Sequence, residues 1–226
     1  MKIYSFVKRL NATELGLGVT HDAYIAIPIE VDLSTMLENQ RVLQPFNRYS
    51  NELYTPRGAK FKYVQTGQNR QERISGLGEF YSKTNAKIGD EILIEKIEND
   101  NTEHYFIDLH HRNAIVFQVN TIQGQRYVEI LPNDIIYKYA NEDGYTFQVI
   151  YKGHTHQLNV VFKHEIKKKK NSPTPTKFYD MLIDNVSILS HYNYQEYIEL
   201  LTTDMRLGLM KTYWYSILDF KEDKNE

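Results

Sequence analysis

Three consecutive segments decide how this chain is read. They are Ile3-Tyr4-Ser5-Phe6-Val7, then Lys8-Arg9-Leu10-Asn11-Ala12-Thr13-Glu14-Leu15-Gly16-Leu17-Gly18-Val19-Thr20-His21, then Tyr24-Ile25-Ala26-Ile27-Pro28-Ile29. The outer two are rich in β-branched and aromatic residues and read as strands. The middle one is punctuated by Gly16 and Gly18, keeps no clean period and reads as a loop.

The same pattern of short strands and turn signals continues outward. Lys60-Phe61-Lys62-Tyr63-Val64 predicts a strand and leads into a polar segment, Gln65 to Ile74, with no hydrophobic stripe. Glu91 to Ile97, His104 to Leu109 and Ala114 to Phe117 predict further strands, as do Thr146 to Tyr151 and Leu158 to Phe162. Asp32 to Asn39 suits a short helix capped by Asp32 or Ser34. The first 120 residues therefore predict a barrel or sandwich.

Beyond them, Lys167 to Lys177 holds a run of four lysines and two prolines and reads as a solvated loop or linker. After that the period changes. Phe178 to Leu189 is apolar at roughly helical spacing. Tyr194, Tyr197, Ile198, Leu201, Met205, Leu209, Tyr213 and Ile217 recur at three- and four-residue steps, which predicts one helix face. The fold expected is mainly β with helices (α+β): a first domain at 1–120, then a segment at 121–226 with more strands, the basic loop at 167–177 and C-terminal helices.

Composition bounds the function. The 226 residues include no cysteine, which excludes disulfides, thiolate nucleophiles and cysteine-ligated zinc. No apolar run approaches the ~18 residues that cross a bilayer, and Met1 to Phe6 lacks a signal-peptide core, so no membrane association and a cytoplasmic location are expected. The net charge of −2 argues by itself against nucleic-acid binding. Net charge averages over a surface, however, whereas binding depends on local charge. Here Arg9, Arg70, Arg73 and Lys167 to Lys170 lie in segments read as loops, while acids crowd Glu95 to Glu103 and the tail.

The first strand–loop–strand resembles the EcoRII-type N-terminal domain, the effector DNA-binding pseudobarrel of restriction endonucleases. That pseudobarrel also occurs in BfiI-type enzymes and plant transcription factors. A second segment, Asn69-Arg70-Gln71-Glu72-Arg73-Ile74-Ser75-Gly76-Leu77-Gly78, resembles the family's basic second loop, and Asn85 to Ile94 resembles the strand after it. The matches cover about residues 4–97 in the family's order. Gly67-Gln68 stands where the family is more basic, and Ser75 and Leu77 replace an arginine and an aromatic residue, so base preference does not transfer.

The resemblance implies two arms clamping double-stranded DNA in the major groove. Arg9, Arg70 and Arg73 would donate bidentate pairs to guanine, and Asn11, Asn69 and Gln71 would pair with adenine. Glu72 would accept from cytosine. Lys8, Thr13, Thr20 and Ser75 would hold phosphates, with His21 in the first arm.

Catalytic sets are sparse. Asp143 with Glu165-Ile166-Lys167 meets the loosest form of the pattern in which two carboxylates hold Mg²⁺ and a lysine positions water. Yet the lysine opens a charge run, and Asp143 sits in the turn sequence Asn-Glu-Asp-Gly. His110-His111-Arg112-Asn113 lacks the surroundings of an HNH nuclease. His154 and His156 share a strand face without further ligands, so no metal site is expected. No phosphate-cradling Gly-x-x-x-x-Gly-Lys-Ser/Thr occurs. The expectation is therefore a DNA target-recognition module of a restriction system, with no cofactor of its own. Cleavage would come from a nuclease or a McrB-like NTPase domain or subunit, and the chain would be part of a longer polypeptide or complex. The alternative is a small complete Mg²⁺-dependent endonuclease using Asp143, Glu165 and Lys167.

Overall fold

The computed structural model describes residues 1–17, 22–28, 30–31, 42–43, 61–66, 71–99, 102–167 and 175–220. In chain order the strands are β1 (Lys2–Arg9), β2 (Tyr24–Ala26), β3 (Val42–Leu43), β4 (Phe61–Thr66), β5 (Gln71–Ser75), β6 (Glu91–Asn99), β7 (Thr102–His110), β8 (Ala114–Ile122) and β9 (Gln125–Ile130). They continue as β10 (Ala140–Asn141), β11 (Gly144–Tyr151), β12 (His154–Ile166), β13 (Thr176–Ile183), β14 (Val186–Ser187), β15 (Tyr197–Leu201), β16 (Arg206–Leu209) and β17 (Tyr213–Asp219). Among the described residues a short α-helix, α1 (Gly78–Thr84), follows β5, and 3₁₀ segments lie at Asp134–Tyr139 and Leu189–His191. The molecule is mostly β-sheet.

The chain divides into two compact units. The first comprises Met1–His111 and Thr212–Glu226, the second Arg112–Lys211. The boundary read from sequence at residue 120 thus falls inside β8, and β17 returns to the first unit.

In the first unit, one antiparallel sheet has the order β17-β1-β6-β7 and a second the order β2-β5-β4-β3. Phe6, Leu10, Ile25, Ile74, Leu77, Phe80 and Ile92 form a core that is essentially dry. Helix α1 contributes Phe80 and Tyr81 to it and stops at Asn85, which adopts the left-handed conformation (φ 51°) that closes helix ends. On the central strand β6, Lys96 donates to Glu98 (2.5 Å) and Glu103 (2.9 Å), and its ammonium lies 5.5 Å from the Tyr4 ring centroid. Burial opposes the charge on Lys96, but the bonds to Glu98 and Glu103 outweigh it and raise its pKa. In return, the bond from Lys96, joined by one from the Tyr4 hydroxyl, holds the Glu98 carboxyl below its usual range.

In the second unit the sheet runs β10-β11-β12-β13-β9-β8-β15-β16 and closes on itself, because β16 also meets β11 in parallel at Ile150↔Arg206. Inside the ring sit Ile115, Phe117, Val119, Val128, Phe147, Leu158, Val160, Met181, Ile198 and Leu200. Two-residue turns join the hairpins. Gln123-Gly124, Lys152-Gly153 and Asp184-Asn185 all have positive φ at both positions, the type whose twist matches antiparallel strands. At Gly144 (φ 148°) a Cβ would lie 2.0 Å from the Val160 carbonyl oxygen, so only glycine fits there.

The helices expected over Phe178–Leu189 and Tyr194–Ile217 are instead strands β13 to β17. In β15 the alternation is period two: Ile198 and Leu200 are fully buried, while Tyr197, Glu199 and Leu201 are half-buried. The three- and four-residue steps came from turns interrupting short strands, such as the one at Met205 (φ 54°) between β15 and β16. The Asp184-Asn185 turn likewise breaks what looked like one apolar helix. The helix expected at Asp32–Asn39 lies outside the described residues.

Gly144→Ala is expected to lower stability by at least ~3 kcal/mol, against about 1–2 kcal/mol for Gly153→Ala, where only the backbone conformation is strained. Urea midpoints measure both, and equal losses would contradict the packing at Gly144. The sign for Glu98 follows from its depressed folded-state pKa: its contribution is present above the unfolded value of about 4.3 and disappears as pH falls through the folded one. Glu98→Gln should therefore flatten the acid limb of a stability–pH curve and leave its slope near neutrality unchanged.

Candidate nucleic-acid interface

The first arm is rooted in charge pairs. Lys8 and Arg9 end β1 and are both buried, at 8% and 3% exposure. The Lys8 ammonium donates to Glu14 Oε1 at 2.5 Å. Arg9 donates to the Gly89 carbonyl (2.5 Å), and its Nε lies 3.4 Å from Glu91 Oε1. The phosphate and guanine contacts that the resemblance implies for these two residues would need side chains that here serve acids of the same chain.

Glu14 is 1% exposed and organises the turn that follows. Its carboxylate also accepts from the Asn11 amide (3.2 Å) and the Ala26 amide (3.0 Å), and the Glu14 amide donates back to Asn11 Oδ1 (3.0 Å). Asn11-Ala12-Thr13-Glu14 is thus a capping box. Asn11 is half-buried in that exchange, whereas Thr13 is exposed. The Tyr24 amide donates to the Glu14 carbonyl (3.0 Å), and Leu15 bridges Ala23, so the arm leaves and re-enters at one point. Beneath it the Tyr81 hydroxyl donates to the Tyr24 carbonyl (3.4 Å). Burial, and then the Glu14 carboxylate, push the Tyr81 pKa well up, so the ring stays neutral.

The second arm is a hairpin. Strand β5 pairs with β4 from Gln71↔Thr66 to Ser75↔Lys62. On its other side β5 pairs with β2, in the register Tyr24↔Ser75, Ile25↔Ile74 and Ala26↔Arg73. This pairing brings together the two segments that carry the resemblance. Ile74 is buried in the core, while its neighbours Arg73 and Ser75 are half-buried. The Arg73 guanidinium carbon lies 4.3 Å from the Tyr24 ring centroid. At that distance the cation is attracted to the ring face, which holds the guanidinium against Tyr24. Gln71 and Glu72 lie in β5 opposite Thr66 and Gln65. Thr20, His21, Asn69 and Arg70 lie outside the described residues.

Sequence reasoning passed over Glu14 and Tyr24, the two residues that position the arms. The capping-box spacing of Asn11 and Glu14 was the available signal for the first. Nothing in one sequence indicates which of 18 tyrosines stacks on an arginine.

The candidate catalytic residues fare differently. Asp143, Glu165 and Lys167 are all exposed. The Asp143 carbonyl accepts from the Phe162 amide, three residues and so roughly 10 Å along β12 from Glu165. His111 is bound to Asp90 (2.9 Å) and His110 to Asp108 (3.3 Å). The His154 and His156 rings sit 6.4 Å apart. Among the described residues no group of three or more histidines and carboxylates could hold a metal, and no helix is long and apolar enough to cross a membrane. No protein-family model, curated protein or solved structure matches the chain.

Glu14→Ala would leave the Lys8 ammonium buried without its carboxylate and is expected to cost about 3–5 kcal/mol. The uncharged double variant Lys8→Met/Glu14→Gln, which keeps an acceptor for the Asn11 and Ala26 amides, should recover a good part of that loss in chemical denaturation. Additive losses from the two single changes would show that the pair is not coupled.

Proposed function

We propose that the first unit is a double-stranded DNA target-recognition module of a restriction system, folded as a DNA-binding pseudobarrel. Its two arms enter the major groove, and cleavage comes from a nuclease or NTPase domain or subunit that it guides. The observation that carries this reading is the β2–β5 pairing, which sets the two arm segments side by side with Arg73 stacked on Tyr24. Two loops far apart in sequence can grip one stretch of duplex only if their roots are joined, and this pairing joins them.

Within this reading the arm residues divide by task. Lys8, Arg9, Asn11 and Glu14 hold the first arm's shape and act as positioning residues. Arg73 reads a base, with Arg70, Asn69 and Gln71 as its companions on the second arm. Thr13 and Ser75 contact the backbone. The first unit's residues sum to a net charge of −4 against −2 for the whole chain, which means weak sequence-blind binding by this unit and affinity that depends on a few arm contacts.

The test is selection from a random-sequence duplex pool at low salt, followed by binding of the enriched duplex. Arg73→Ala is expected to cost about 1–3 kcal/mol on that duplex, with little change on random DNA. Arg73→Lys, which keeps the charge but not the two-pronged donor, should lose nearly as much selectivity. Equal losses on enriched and random DNA would contradict base reading by Arg73, and a pool with no enrichment would sink the whole reading.

A further inference from the structure

The second unit carries its own concentration of positive charge. Residues 163–177 contain six lysines and one glutamate, a local charge of +5 in a chain whose total is −2. Of these, Lys163 lies within β12 near its outer end, Lys167 directly follows that strand, and Lys177 lies at the start of β13. All three are exposed, and no ion pair among the described residues occupies them. Exposed like charges gathered near one another repel unless an opposite charge is brought to them, and a polyanion supplies one.

Local geometry gathers them. Strands β12 and β13 pair as Ile166↔Thr176, Glu165↔Lys177 and His164↔Phe178, and then as Phe162↔Tyr179. Two steps along β12 thus match one along β13, and Lys163 is the extra residue of a bulge. A bulge leaves one residue out of the ladder and re-aims its side chain. Lys163 here lines an open cleft of about 610 Å³ with Arg126, Tyr127, Asp180, Ser187 and Ser190.

Arg126 is anchored in that cleft by bonds from its Nη1 to the carbonyls of Ser190 (2.9 Å) and Leu189 (3.4 Å). Asp180, the acid of the cleft, accepts on one oxygen from the Ser187 hydroxyl (2.6 Å) and the Met181 amide (2.8 Å). The Tyr127 ring meets the His164 ring edge-on at 4.6 Å. From Lys163 to Lys167 the strand covers about 13 Å, several phosphates of a duplex that carries one charge per about 1.7 Å.

We propose that the second unit binds the phosphodiester backbone of duplex DNA along the outer β12–β13 hairpin, through Arg126, Lys163, Lys167 and Lys177. The contact is sequence-blind. It adds salt-dependent affinity to that of the arms, whose described basic roots, Lys8 and Arg9, are buried in ion pairs. The two sites are independent: backbone binding here requires no base reading by the arms.

The experiment is fluorescence anisotropy of a short random-sequence duplex with the full chain over a series of salt concentrations. Lys163→Ala/Lys167→Ala/Lys177→Ala is expected to weaken binding to every duplex alike. It should flatten the slope of log affinity against log salt by about two to three units, near 0.9 for each phosphate that is no longer neutralised. The matching triple arginine variant should keep the slope. The triple variant Lys83→Ala/Lys138→Ala/Lys211→Ala, with the same change in total charge elsewhere on the surface, should leave the slope nearly unchanged.

An unaltered slope in the first triple variant overturns the proposal. So does an equal loss in the second, or wild-type protein that binds no duplex at low salt. If the slope falls as expected while no sequence is enriched from a random pool, this site stands and the base-reading role of the arms fails. If a sequence is enriched and the slope does not move, the reverse holds.

Discussion

A carboxylate withdrawn from water loses several kcal/mol of hydration unless charge and hydrogen bonds replace it. Glu14 meets that demand with three donors: the Lys8 ammonium, the Asn11 amide and the Ala26 amide. Each comes from a different place, namely the end of β1, the first turn of the arm and the end of β2. Satisfying one buried charge therefore ties together the strand that enters the arm, the turn that shapes it and the strand that leaves it. The β2–β5 register continues from that knot, and with it the position of Arg73 over Tyr24.

The knot explains why basic residues at an arm's root need not touch a ligand. Lys8 and Arg9 lie in the segment that resembles a DNA-binding loop, yet both are consumed by acids of their own chain. Their charge sets shape. Among the described residues, Lys163, Lys167 and Lys177 of the second unit keep their positive charge exposed. Net charge and local charge thus answer different questions here. The total of −2 says little about either site because paired and unpaired charges count equally in it.

The first unit was legible in the sequence where strands are long and alternate. Ile3 to Val7, Glu91 to Ile97 and His104 to Leu109 all form the strands that their β-branched and aromatic content predicts. The C-terminal third was misread for a specific reason. Tyr197, Ile198, Leu201, Met205 and Leu209 mimic a helix face only because a turn at Thr202 to Met205 separates two short strands. Asp184-Asn185 lacks the glycine that usually announces a tight hairpin, so Phe178 to Leu189 looked continuous. The ring of the second unit closes through a single parallel pairing, Ile150↔Arg206, which leaves no trace in local sequence pattern. The arm contacts were half legible: the residue types were visible, but which of them are spent on internal pairs depends on burial that only the fold defines.

The central claim is that the two arms, joined at their roots, meet one duplex together. Amide chemical shifts of the full chain, followed by NMR while the duplex enriched by the wild type is added, test it directly. The account predicts that shifts concentrate jointly at Asn11 to Leu17, Ala23 to Ala26 and Gln71 to Ser75 and saturate at one common duplex concentration. Shifts that leave β2 and β5 untouched, or arms that respond at separate concentrations, would contradict it.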